Sequence, residues 1–176
     1  MKQEQVTQIM NDPLAQELLN SSIPARLAYT GLDGFPRAIP IGFLWNGTQF
    51  VMATATNSPK MDALRANPKV ALTIDTNDFP PHILLVRGTA RVEIVDGVAP
   101  EFLEASRRYV PPEQWDEFEK GVTALYKQQG RITVVPEWAK LIDFETRVPS
   151  AQEELVAQVA GHIAILPEPR TENRTA

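Results

Sequence analysis

The chain has 176 residues, 43% of them hydrophobic and 22% charged, with a formal net charge of −5 and no cysteine. That length accommodates one domain with a real core and leaves little room for a second. The missing thiols exclude disulfides, thiolate metal sites and a cysteine nucleophile, and the acidic balance excludes sequence-independent binding to nucleic acid, which needs cations gathered on one surface.

From the N-terminus, Val6, Ile9, Met10, Leu14, Leu18 and Leu19 recur at helical spacing interrupted by Asp12-Pro13, which predicts two short helices. Residues 1–20 lack the continuous apolar block of a secretion signal, and no apolar run reaches the roughly 18 residues of a membrane span, so a cytoplasmic protein is expected. Residues 23–30 have strand composition, Asp33-Gly34 is a turn, and 36–45 reads as a second strand with Ile39, Ile41 and Phe43 on one face. Asn46-Gly47 is the strongest hairpin signal in the chain and leads into a third strand at 49–54, so three consecutive antiparallel strands are expected. A helix over 58–66 is stopped by Asn67-Pro68 and followed by a strand at 70–75 and a polar loop at 77–81. Residues 82–95 are β-branched and alternating, with Gly88 marking a bulge or bend. Residues 100–109 and 112–129 carry helical spacing broken at Val110-Pro111-Pro112, and 131–144 returns to strand composition, with Pro136 indicating an edge or a bulge. A helical patch runs from 151 to about 159, and the last ten residues are expected to be mobile. This order, without internal repeats, predicts a single α+β domain over 1–176 built on an antiparallel barrel at about 20–146, with a C-terminal tail at 151–176.

The segment 53–69 carries the strongest chemical signal. Ser58 reads as a helix N-cap and Pro59 as the first helical residue. Lys60 then falls in the first turn, where the macrodipole disfavours a cation by about 0.3–1 kcal/mol unless an anion sits beside it. The free N–H groups of that turn, the Thr56 and Ser58 hydroxyls and the Lys60 ammonium can converge on one phosphate. The other reading is an ordinary Ser-Pro helix start with Lys60 in water, and these residues alone leave both open. His82 and His162, the two histidines, lie far apart and outside any metal-ligand spacing, and Asp75 and Asp78 read as strand-end and loop charges. No nucleophile elbow, Walker loop or dinucleotide fingerprint occurs. No catalytic or metal-binding residue is assigned. A phosphate cradle without catalytic side chains leaves the difficult step to a cofactor.

The succession Arg37-Ala38-Ile39-Pro40-Ile41, the Asn46-Gly47 turn, Phe50 to Thr56, Ser58-Pro59-Lys60 and Leu64 to Leu72 resembles the pyridoxamine 5'-phosphate oxidase-like split β-barrel flavoproteins. The likeness covers about residues 20–95, and residues 130–146 look like the later barrel strand. It implies an α+β fold, an antiparallel Greek-key split β-barrel with flanking helices, forming a homodimer with FMN or the deazaflavin coenzyme F420 between the subunits. Carried over by position, Ser58, Pro59 and Lys60 take the cofactor phosphate with Thr54 and Thr56 beside them. Arg37, Ala38, Ile39 and Pro40 run along the ring system, and Ala53 and Ala55 add small apolar surface. Trp138 covers the ring from the partner subunit. The implied activity is an oxidoreductase that transfers hydride to a small organic substrate; the alternatives are a cofactor carrier or a heme-binding barrel without turnover. Pro59 and the Pro-rich, weakly basic tail depart from the Ser-Arg-Lys turn and basic C-terminal segment of the vitamin B6 oxidases, which sets the chain apart from that activity. Arg26, Arg37, Arg65, Lys69, Arg87 and Arg91 suit a polyanionic tail and favour F420 over FMN.

Overall fold

In the computed structural model, which describes residues 1–159, two short helices, α1 (Gln3–Met10) and α2 (Pro13–Asn20), open the chain. They part at Asp12, whose carboxylate accepts the Leu14 N–H at 3.0 Å while Pro13 takes the first helical position, where no N–H is needed. Val6, Met10, Leu18 and Leu19 are buried against the barrel. The C-terminal segment expected to be mobile, and His162 with it, lies outside the described residues.

Seven strands follow: β1 (Ala25–Thr30), β2 (Pro36–Ile41), β3 (Leu44–Trp45), β4 (Phe50–Ala55), β5 (Lys69–Asp75), β6 (Ile83–Asp96) and β7 (Gln128–Ile142). They form one sheet in the order β2-β1-β5-β6-β7-β4-β3, antiparallel at each pairing. The turns at Asp33-Gly34 and Asn46-Gly47 place glycine at φ 81° and 95°, where a side chain would be strained.

The expected strand 36–45 does not run as one piece, and the expected three-strand meander does not form. The strand breaks at Gly42-Phe43, and its two pieces, β2 and β3, lie at opposite edges of the sheet. Three Cα steps separate Ile41 from Leu44, a reach of at most about 11 Å. A flat seven-stranded sheet is far wider, so this sheet curls until its edges meet, which makes a barrel split between β2 and β3.

Gly88 marks a bulge. Arg87 pairs with Trp138 but Gly88 with Pro136, so Glu137 is the extra residue, on β7. Pro136 has a strand partner on the β6 side only, since β4 pairs no further than Val134, and it sits at the bulge, so its missing N–H interrupts no regular ladder. The inner face is the core: Leu27, Phe50, Met52, Leu72, Ile74, Leu84, Val86, Ile132 and Val134 alternate inward, and the Phe50 ring stands 5.3 Å from Phe43 and 5.0 Å from Trp45.

Between β4 and β5 runs α3 (Pro59–Ala66), and between β6 and β7 run α4 (Pro100–Ser106), a 3-10 turn at Pro112–Gln114 and α5 (Trp115–Leu125). The helix expected to reach residue 129 ends at Leu125 because β7 begins at Gln128, paired with β6 and, from Gln129, with β4. Gln129 is buried and its side-chain oxygen accepts the Ala99 N–H at the start of α4. The last described element is α6 (Ser150–Val159).

The turn after β7 closes on Asp143. Its carboxylate accepts the N–H groups of Glu145, Thr146 and Arg147 at 2.9, 2.7 and 2.7 Å and the Thr146 hydroxyl at 2.6 Å. Arg147 in turn reaches Asp12 at 2.7 Å, tying the turn to the cap of α2. Burial opposes the charge on Asp143, but these bonds, the Thr146 hydroxyl foremost, outweigh it and hold the pKa at about 2, below the ordinary 3.8. The folded state thus releases this proton more readily than the unfolded state. Its stabilisation is full above the ordinary value and is lost as pH falls toward 2. Denaturant midpoints followed from neutral to about pH 2 are expected to show wild type losing roughly 2 kcal/mol that Asp143→Asn does not lose. Parallel curves for the two proteins would contradict this.

Candidate functional site

The candidate site begins where β4 gives way to α3. Ser58 has extended backbone and Pro59 occupies the first helical position, as a Ser-Pro helix start requires. The Ser58 side chain makes no cap hydrogen bond. Instead the Lys60 ammonium folds back and donates to Ser58 Oγ at 2.6 Å and to Thr54 Oγ1 at 3.0 Å. The partner hydroxyl is that of Thr54 and not of Thr56, because Thr54 shares the inner face of β4 with Phe50 and Met52 whereas Thr56 lies exposed beyond the strand. Opposite Thr54 in register is Gly130, against which the Met61 side chain packs, so the first turn of α3 is seated on β7.

The donors in this cluster can be counted. An ammonium has three protons and no lone pair. Both hydroxyl oxygens therefore accept from Lys60, their own protons point elsewhere, and one ammonium proton is left over. Three donor protons are therefore left unused by these bonds beside a helix N-terminus, which is an anion-binding arrangement. Burial pulls the Lys60 pKa below its ordinary 10.5, and among the described residues no carboxylate pairs with it. The neighbouring Asp62 is held by Arg65 at 2.8 Å.

Beside the cradle a cleft of about 380 Å³ runs between the β1–β2 hairpin and α3, with Tyr29 and Arg37 on one wall and Pro59, Asp62 and Ala63 on the other. Arg37 is paired with Asp33 at 2.6 Å, and that hydrogen bond is the main cause of the lowered Asp33 pKa. Tyr29 was not predicted as a site residue. It lies on the inward-facing register of β1, which reads as core from sequence.

Ala38 and Pro40 are exposed on the outer face of edge strand β2, and Ile39 turns inward against the core. Ala53 and Ala55 lie on the face of β4 opposite Thr54. Trp138 is eight residues along β7 from Gly130, about 26 Å at strand rise, so one chain does not bring it to the cradle. Its ring carries the Arg87 guanidinium at 4.3 Å. Register places Ala38, Ala28, Ala71, Arg87 and Trp138 in one row across the outer face. Of the six predicted cations, Arg26, Arg37 and Arg65 pair with Asp75, Asp33 and Asp62. Among the described residues no group of three His, Asp or Glu side chains could hold a metal ion, and no helix is long and apolar enough to cross a membrane.

A family model described as Pyridoxamine 5'-phosphate oxidase matches residues 12–114, a span that includes the cradle and the cleft. An F420 reductase of known structure is 26% identical, with a TM-score of 0.55 over 71% of this chain and 94% of that one. A conserved hypothetical protein from Mycobacterium tuberculosis (19% identity, TM-score 0.57, 100% of this chain and 95% of that one) shares the fold. So does the General Stress Protein 26 from Bacillus anthracis (16% identity, TM-score 0.53, 74% and 92%). Among curated proteins none matches the sequence.

Proposed function

The chain belongs to the pyridoxamine 5'-phosphate oxidase family, and from that premise we propose that it is a homodimeric cytoplasmic oxidoreductase that holds F420 or FMN by its phosphate and reduces a small organic molecule. The observation that supports this most is Lys60, a half-buried ammonium without a carboxylate partner among the described residues, flanked by two hydroxyls whose protons are free. A phosphate accepts from all three and supplies the negative charge that both burial and the helix dipole demand there. The residues present therefore fit the group. When bound, the flavin or deazaflavin ring supplies hydride transfer.

The chain's own part is binding and orientation. Lys60, Ser58 and Thr54 fix the phosphate end. Arg37, exchangeable from its exposed pair with Asp33, lines the cleft on the face of β2 opposite Ala38 and Pro40. The row of short side chains at Ala38, Ala28 and Ala71 allows a second copy to approach the sheet closely, and that copy's Trp138 would cover the ring. F420 is favoured over FMN by the likeness to the F420 reductase. The cations give weaker support, since half of them are already paired.

Titration of the purified protein with F420 and FMN, followed by cofactor fluorescence, is expected to show saturable binding of at least one, and the reduced cofactor should then be reoxidised by an unsaturated acceptor. Sedimentation should give twice the 19.6 kDa chain mass. Failure to bind either cofactor would remove the functional reading, and a stable monomer would remove the shared site.

A further inference from the structure

A second cavity, of about 310 Å³, opens at the split of the barrel, where Gly42 and Phe43 carry the chain from one sheet edge to the other. Its volume lies at the lower end of small-ligand pockets, roughly 300–1,000 Å³. Ile23, Pro24, Phe43 and Ala105 give it carbon walls. Gly42 lies against the Tyr109 side chain, so that a Cβ there would stand 3.0 Å from the phenol oxygen.

The polar groups of this cavity are mostly in use. Ser21 Oγ donates to the Leu18 carbonyl at 2.8 Å. Ser106 Oγ donates to the Phe102 carbonyl at 2.7 Å, so in its 3.1 Å contact with Tyr109 the phenol is the donor and its proton is also taken. Arg108 differs. One nitrogen, Nη1, donates to the Leu19 carbonyl at 2.8 Å, and its other N–H groups have no hydrogen-bond or ion-pair partner among the described residues, with Glu104 acting on the guanidinium only through its nearby charge and the Phe43 ring 5.8 Å away. A guanidinium has five donors in a planar fork. The cavity therefore presents one half-buried positive charge with unused, coplanar donors in an apolar setting.

We propose that this cavity binds a small carboxylic acid with an apolar body, the carboxylate on Arg108 and the body against Ile23, Pro24, Phe43 and Ala105. A single guanidinium balances a single negative charge, and its fork matches a carboxylate in bidentate geometry. A dianion such as phosphate would bring a second charge into walls that cannot solvate it. The site is separate from the Lys60 cradle: Arg37, in the cleft beside the cradle, and Gly42, the residue after the end of β2 and a lining residue of the cavity, are five residues apart, about 17 Å at strand rise.

The test is calorimetric titration of the full chain, without added cofactor, with octanoate, octanol and inorganic phosphate. Octanoate is expected to bind about tenfold or more tighter than octanol, and phosphate is expected not to compete with it. Arg108→Gln should bring octanoate down to the affinity of octanol. Ala105→Leu, which adds carbon to the cavity without touching the charge, should weaken both. Equal binding of octanoate and octanol by wild type, no binding at millimolar ligand, or unchanged octanoate affinity in folded Arg108→Gln would each overturn the proposal. Should Arg108→Gln fail to fold for want of its bond to Leu19, the wild-type comparison and Ala105→Leu decide it. Lys60→Ala should leave octanoate binding unchanged, which separates this site from the cradle.

Discussion

Lys60→Ala is expected to weaken F420 or FMN binding by about ten- to a hundredfold, the loss of a charge-assisted contact of roughly 1.5–3 kcal/mol. The same substitution should leave the cofactor-free protein as stable as wild type or slightly more so. It removes a cation that burial and the α3 dipole both disfavour, and it frees the Ser58 hydroxyl to cap the helix, a role it does not play while Lys60 holds it. Loss of affinity with retained stability distinguishes a binding residue from a structural one. If Lys60 merely pointed into water, affinity would stay within about twofold. Raising the pH past the lowered pKa of Lys60 should weaken the wild type and not the variant, because the neutral amine no longer balances the phosphate.

Gly88→Ala is expected to cost about 3 kcal/mol or more, seen as a lowered denaturant midpoint with an unchanged slope. A Cβ at Gly88 would stand 2.1 Å from the Val135 carbonyl oxygen and 3.0 Å from its carbon. Both are backbone atoms of the adjoining strand and neither can rotate away. Relief requires β6 and β7, the two longest strands, to separate at the bulge that sets their register. Gly130→Ala provides the control. There the obstructing atoms are Cε and Sδ of Met61 at 2.2 and 2.3 Å, the far end of a flexible side chain, so a smaller loss of about 1 kcal/mol is expected. Gly88→Ala within about 0.5 kcal/mol of wild type would mean that the strands do not approach as described.

Local chemistry made much of this legible from sequence. Asp12-Pro13, Asn46-Gly47 and Ser58-Pro59 each act through neighbouring backbone atoms: the Asn46 side chain, for example, accepts the N–H groups of Thr48 and Gln49 at 3.0 and 2.8 Å. Gly88, read as a bulge or bend, and Pro136, read as an edge or bulge, meet at one bulge, because each weakens a regular ladder in the same way. The break at Gly42-Phe43 was not legible, since the alternation Ile39, Ile41, Phe43 runs straight through it and the cause is tertiary, the meeting of two sheet edges. The end of α5 was hidden for a similar reason: Leu125 fits the helical spacing yet is 70% exposed, and what starts the strand at Gln128 is its pairing with distant β6. In the cradle, the sequence supplied Ser58 and Lys60, while the choice of Thr54 over Thr56 follows from which face of β4 meets α3. The cavity at Arg108 draws on the α2–β1 link, the β2–β3 crossing and the end of α4, segments that no local pattern joins.

The central claim, that the start of α3 holds the phosphate of a flavin-type cofactor, is tested most directly by a crystal structure of the protein grown with F420. A phosphate oxygen is expected about 3 Å from Lys60 Nζ and Ser58 Oγ, in a dimer whose second copy lays Trp138 over the ring. A phosphate held elsewhere, with Lys60 still bonded only to Thr54 and Ser58, would contradict it.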